Sequence, residues 1–119
     1  YRVVYLIEDD ISMRRSYEHF LESANFEFRS FESVESFLSA GTPNEDDILL
    51  LDINLSEMNG LDLLDILAQE ERIMPSIVIT ASEDGRNHEY CKKYGVKALL
   101  RKPVDGEALI DLIKYHVRS

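Results

Sequence analysis

Short apolar runs alternate with amphipathic stretches along the whole chain. "VVYLI", Val3 to Ile7, predicts a first strand. Met13, Tyr17, Phe20, Leu21 and Ala24 then recur at i, i+4, i+7, i+8 and i+11, one stripe of a helix with Ser12 as a cap. "FEFRSF" alternates from Phe26 and predicts a second strand. Ser33 opens a short helix with Val34, Phe37 and Leu38 inward and Gly41 at its close. Ile48 to Leu51 is the third strand, and Leu61, Leu64, Leu67 and Ala68 stripe the helix after it. "SIVIT", Ser76 to Thr80, is the fourth strand. A weaker helix runs toward Tyr94 and stops at Gly95. "VKALL", Val96 to Leu100, is the fifth strand, and Asp105 caps a last helix with Leu109, Leu112, Ile113 and Val117 on one face.

Five strands alternating with five helices predict an α/β fold whose parallel sheet is covered on both faces. Right-handed crossovers make that a three-layer, doubly wound sheet. The 119 residues suit one domain with a real core, and neither a repeat nor a low-complexity linker divides them. Residues 1–119 are therefore read as a single domain. Because the chain opens at Tyr1 rather than Met, it is read as one excised from a longer multidomain protein.

Composition narrows the function. A hydrophobic share of 45% and a charged share of 30% are those of a folded globular chain. The formal charge of −10 repels phosphate backbones, so no direct nucleic-acid binding is expected. No stretch approaches the roughly 20 apolar residues of a membrane span. The single cysteine, Cys91, cannot form an internal disulfide and suits a reducing, cytoplasmic setting; it reads as packed rather than reactive.

The chemistry collects at strand ends, where ligands of such sheets bind. In "LLLDINLSEMNG", Leu49 to Gly60, an apolar run ends in a carboxylate, Asp52, which is costly there unless it is paired. The first strand ends in Glu8, Asp9 and Asp10, the fourth in Thr80, the fifth in Arg101, Lys102 and Pro103. Asp10 reads as a helix cap. If Glu8, Asp9, Asp52 and Lys102 meet, three negatives and one positive leave −2, which a divalent cation would balance. All-oxygen ligands select Mg²⁺ or Mn²⁺ over Zn²⁺. A carboxylate beside Mg²⁺, an ammonium and a hydroxyl suits phosphoryl transfer, with the ionised carboxylate itself as nucleophile. No glycine-rich loop follows the first strand, which excludes a nucleotide-binding Rossmann enzyme. His19, His88 and His116 lack metal-ligand spacing and read as surface residues.

The motifs "IEDDISMRR", "LLLDINLSEMNGLDLL", "PSIVITA" and "LLRKPVD" stand in order, one at each of these strand ends. Through them the chain resembles a response-regulator receiver domain of two-component signalling over essentially its full length. The resemblance implies a flavodoxin-like sheet of order 2-1-3-4-5. It implies a phosphorylation-controlled signalling switch rather than an enzyme, with at most self-phosphorylation and slow autodephosphorylation. Asp52 would be the phosphoacceptor, served by a histidine kinase or phosphotransfer protein. Asp9 and Asp52 would bind Mg²⁺ (or Mn²⁺), with Asn54 through its backbone carbonyl and Glu8 directly or through water. Thr80 and Lys102 would hold the phosphoryl oxygens, and the bond before Pro103 would be cis. A homodimer through the face made by the fourth helix, fifth strand and last helix is a further expectation. "FESVESFL" and "MPSIVITA" resemble receivers joined to helix-turn-helix output domains.

Three positions depart from the family pattern. Glu8 replaces a more usual aspartate, and Ser56 a usual proline after the acceptor. Leu99 stands where many members carry a switching Tyr or Phe, so movement linked to Thr80 must pass through packing alone. Tyr90, Tyr94 and Tyr115 read equally as core edges or partner contacts, and Arg14 and Arg15 as solvated or kinase-docking residues. Two other functions remain in view. A receiver-like docking module that is never phosphorylated would ignore Asp52. An aspartyl-phosphate hydrolase would need a carboxylic acid two positions after the nucleophile, where Asn54 stands.

Overall fold

The computed structural model of the protein describes residues 3–40, 47–52, 60–69, 75–80, 96–102 and 104–117. The elements run β1 (Val4–Ile7), α1 (Ile11–Ser23), β2 (Phe28–Phe31), α2 (Val34–Ser39), β3 (Ile48–Asp52), α3 (Gly60–Gln69), β4 (Ser76–Thr80), β5 (Val96–Arg101) and α4 (Gly106–Val117). All strand pairs are parallel, in the order β2-β1-β3-β4-β5. The expected doubly wound α/β sheet is present. The weak helix expected before Gly95 lies outside the described residues.

The central strands explain the arrangement. Every residue of β3 and β4 is buried, because their continuous apolar runs are covered on both faces. Alternation divides the core in two. Ile7, Leu49, Leu51 and Val78 face Val34 and Phe37 of α2 and Leu63 and Leu67 of α3. Val4, Leu6, Ile48, Leu50, Ile77 and Ile79 face Tyr17 and Leu21 of α1 and Leu109 and Ile113 of α4. Leu63 is fully buried although it was not in the expected stripe, whereas Leu67 was. The side chains of Leu61, Leu64, Ala68 and Val117 lie outside the described residues.

Element ends differ from expectation where local hydrogen bonds decide them. Asp10, not Ser12, caps α1: it is extended at φ −78° and ψ 121°, and its Oδ1 accepts from the Met13 N–H at 2.9 Å. Ser12 is inside the helix, its carbonyl accepting from the Ser16 hydroxyl at 3.1 Å. At the other end Asn25 takes φ 63° and the Phe26 N–H donates to the Leu21 carbonyl. That turn uses Phe26, so β2 starts only at Phe28. The Ser33 cap is present, its Oγ accepting from the Ser36 N–H at 3.1 Å, while Gly41 lies outside the described residues. β5 bulges at Lys97, between the pairs Ser76–Val96 and Ile77–Ala98, and runs on to Arg101. Asp105 caps α4 by accepting from the Glu107 N–H at 3.2 Å.

The start of α4 packs against the C-terminal part of α1. A Cβ at Gly106 would lie 2.5 Å from Phe20 Cε1 and 2.7 Å from Cδ1. Gly106→Ala is therefore expected to cost about 1–2 kcal/mol in urea unfolding, as overpacking does, despite alanine's smaller backbone entropy. A Phe20→Leu background should remove most of that loss.

Candidate functional site

The carboxyl ends of β1, β3, β4 and β5 meet along one edge of the sheet. Glu8 follows β1 directly, held in line by its N–H to the Phe31 carbonyl at 3.0 Å and by the Arg14 guanidinium, which donates to its carbonyl at 3.0 Å. Asp52 closes β3 and Thr80 closes β4; Glu8, Asp52 and Thr80 are 1%, 2% and 1% exposed. Lys102 follows β5, its backbone N–H donating to the Thr80 carbonyl at 2.9 Å. Its Nζ donates to Asp52 Oδ2 at 2.5 Å, spanning 50 residues of chain.

Four expected site residues are thus brought together. Glu8 and Asp52 extend the rows Val4–Leu6 and Ile48–Leu50 on the α1–α4 face. Asp9 lies near enough for its charge to act on Glu8 and on Lys102. Thr80 is joined to the group through its carbonyl on the Lys102 amide. Asn54, Ser56 and Pro103, with the expected cis bond, lie outside the described residues. So do His88, Tyr90, Cys91 and Tyr94, and the side chain of His116. Leu99 is half-buried against the Ile7–Val78 cluster. His19 and Arg15 are exposed, and Tyr115 is 71% exposed rather than a core edge.

Charge in this corner is tightly contested. Burial, then the hydrogen bond and charge of Asp52, then Asp9, push the Glu8 carboxyl from its ordinary 4.5 up to about 9; only Lys102 pulls the other way. At neutral pH, without a cation, Glu8 is therefore protonated and hydrogen-bonded to Asp52. Its other oxygen, Oε2, is buried and lacks a hydrogen-bond partner among the described residues. Burial alone would lower the Lys102 pKa, but the hydrogen bond and charge of Asp52, with Glu8 and Asp9, hold it above the usual lysine value. The ammonium is therefore intact through the neutral range, its contribution present below 10.5 and lost only above its raised folded value.

The donor set fits a hard divalent cation. The side chains offer carboxylate oxygen, one buried oxygen is left over, and a proton now does part of the work a metal charge would do. Among the described residues no group of three His, Cys, Asp or Glu side chains is placed to hold a metal ion.

A pH dependence follows. Between 4.5 and about 9 the folded, metal-free chain holds a proton on Glu8 that the unfolded chain has released. Stability should therefore fall as pH rises through that window, by up to about 1.4 kcal/mol per pH unit. Thermal melts in chelator should show this slope, Glu8→Gln should flatten it, and Mg²⁺ should offset it at the alkaline end.

Two residues near the pocket were not expected to serve it. Arg14 was read as solvated or kinase-docking, yet it pins the Glu8 main chain. Tyr17 was read as part of a packing stripe, yet its hydroxyl is buried, and burial first, then the charges of Glu8 and Asp52, raise its pKa above the usual phenol value. The only signal for Tyr17 in the sequence is that it is the one hydroxyl in that stripe.

Comparison with known proteins places this geometry in context. The family profile for the response regulator receiver domain matches residues 4–114. Nodulation protein W of Bradyrhizobium diazoefficiens is 33% identical over 93% of this chain and 49% of its own length. The DNA-binding transcriptional regulator NtrC of Klebsiella pneumoniae is 32% identical over 93% of this chain and 24% of its own. The chain thus spans half or less of these relatives. The structure of response regulator StyR superimposes with a TM-score of 0.89 at 30% identity, covering 98% of this chain and 59% of that one.

Proposed function

Since the chain belongs to the response regulator receiver domain family, we propose that it is a phosphorylation-controlled switch with Asp52 as the phosphoacceptor. The observation that carries this reading is the Lys102 ammonium 2.5 Å from a carboxylate only 2% exposed, with a second buried carboxyl against it. So much charge in one corner serves packing poorly, and it suits a reaction that brings in an anion.

Asp52 attacks phosphorus in line. A new O–P bond forms as the N–P bond of a kinase or phosphotransfer-protein phosphohistidine breaks, and the imidazole leaves with the bonding electrons and takes up a proton. No base is needed, because the ionised carboxylate is the nucleophile. Lys102 stabilises charge on the equatorial oxygens, and Thr80 offers its hydroxyl to them. Asp9, Asp52, Glu8 and the Asn54 carbonyl would hold Mg²⁺ (or Mn²⁺), which when bound supplies charge neutralisation and orients the phosphoryl oxygens.

The chain acts on itself rather than on a separate substrate. Phosphorylation adds charge beside Thr80 and Lys102, and through them shifts β5, with Leu99 transmitting the change by packing. The partners are a histidine kinase or phosphotransfer protein upstream. Downstream they are an output region of a longer protein, with a homodimer through the face containing β5 and α4 as the assembled form. Among the described residues no helix is long and apolar enough to cross a membrane.

Incubation with Mg²⁺ and a small phosphodonor, followed by the intact mass, tests the proposal. The expected result is a gain of one phosphate; no gain overturns it. The docking-module reading would instead be favoured by partner binding that ignores Asp52→Asn.

A further inference from the structure

We infer that Arg14 is a positioning residue for the acidic corner: it holds the Glu8–Asp10 turn in the shape from which Asp9 would serve a divalent cation. The inference rests on the metal-dependent reading above.

Asp9 stands between two residues that are each fixed from both sides. The Glu8 N–H donates to the Phe31 carbonyl at 3.0 Å, and the Glu8 carbonyl accepts from Arg14 Nη1 at 3.0 Å. The Asp10 carbonyl accepts from the Arg14 N–H at 2.9 Å, and Asp10 Oδ1 accepts from the Met13 N–H at 2.9 Å. One residue thus grips the carbonyls on either side of Asp9, with its side chain on one and its main chain on the other. β1 ends at Ile7 and β2 at Phe31, so beyond the Glu8 N–H the Arg14 bonds carry the hold across the turn into α1.

An arginine at this place needs a reason. Arg14 stands in the opening turns of α1, where the helix macrodipole disfavours a cation. Side chains on a helix lean toward its N-terminus, and this one reaches a carbonyl six residues back in the chain. Arg14 is half-buried, whereas its neighbour Arg15 is exposed. A planar guanidinium loses less freedom than a flexible ammonium in holding such a bond.

Charge and geometry predict opposite signs. As a bare positive charge beside the corner, Arg14 would repel a divalent cation, and removing it would tighten binding. As a positioning group it orders the turn before the cation arrives, so removing it would weaken binding.

The experiment is a Mn²⁺ titration at fixed ionic strength, followed by loss of the free-ion electron paramagnetic resonance signal. It is run on wild type, Arg14→Met and Arg14→Lys, with a thermal melt of each in chelator. Arg14→Met keeps an unbranched stem without donors and should weaken Mn²⁺ binding about tenfold, the lower end for losing a group that orients a metal ligand. Arg14→Lys restores one charged donor and should recover most of that loss. Linkage demands the reverse effect in wild type: Mg²⁺ should slow hydrogen exchange at the Arg14 guanidinium, read by nuclear magnetic resonance, and leave Arg15 unchanged. That wild-type signal decides the matter should Arg14→Met fail to fold; no slowing, or equal slowing at both arginines, overturns the inference. Arg14→Met affinity within twofold of wild type, even with a lowered melt, overturns it, because the residue then serves folding alone. Tighter binding in Arg14→Met, or a loss that Arg14→Lys does not relieve, overturns it as well. If wild type itself binds no Mn²⁺, the metal-dependent reading falls first and takes the inference with it.

Discussion

Asp52→Asn is expected to accept no phosphate: with Mg²⁺ and a small phosphodonor, wild type gains one phosphate in mass and the variant gains none. The amide oxygen can still accept from Lys102, so the corner of the sheet keeps its shape, but it is not a nucleophile. Stability should not suffer, because the carboxylate removed is the one that, after burial itself, does most to push the neighbouring Glu8 up to about 9. In chelator at pH 8 the variant should melt no lower than wild type. A mass gain that survives the substitution would locate the acceptor elsewhere and end the proposal. The output can be bounded too. Reversing a population from 1:99 to 99:1 takes about 5.5 kcal/mol of preference for one state. A dianionic group hydrogen-bonded by Lys102 and Thr80 has the right order of strength to supply a large part of it.

Lys102→Met carries the second large effect. The ammonium is hydrogen-bonded to a carboxylate that is 2% exposed, and removing one partner of such a pair leaves a buried charge behind. The expected loss at pH 8 is about 3 kcal/mol, the lower end for broken buried pairs. The Lys102 side chain is itself 24% exposed, which favours that end of the range. The loss should shrink toward pH 5, where protons can take the place of the missing cation. Phosphoryl acceptance should slow by about 10²-fold, the usual cost of one lost charge-stabilising donor in a transition state. Urea unfolding at the two pH values and a time course of mass gain check both halves. A pH-independent loss would mean that Lys102 matters only as packing.

Much of the fold was legible because β3 and β4 are so plainly written. An apolar run of four residues closing in Asp52 and one of three closing in Thr80 leave few alternatives to buried parallel strands, and the site lies at their ends. Legibility failed where a local hydrogen bond outranks periodicity. Asp10 takes the cap from Ser12 because its Oδ1 reaches the Met13 N–H. Phe26 alternates like a strand residue but is used by the turn at Asn25. Leu63 escaped because the stripe was drawn one residue away along α3. The acids and Lys102 could be gathered from sequence because each stands at a strand end. That Glu8 reaches inward, with an oxygen left over, could not, since it depends on what α1 lays over the sheet. Tyr17 was hidden for the same reason: in a list of apolar positions a phenol looks like any other large ring.

The bulge at Lys97 makes the sheet mechanically lopsided. Asp52 closes one of two neighbouring strands, β3 and β4, that are buried throughout, while the strand carrying Leu99 and leading to Lys102 is half-exposed and has an extra residue of slack near its start. Were Asp52 to take up a phosphoryl group as proposed, the resulting displacement is expected in that looser rim rather than in β3 and β4.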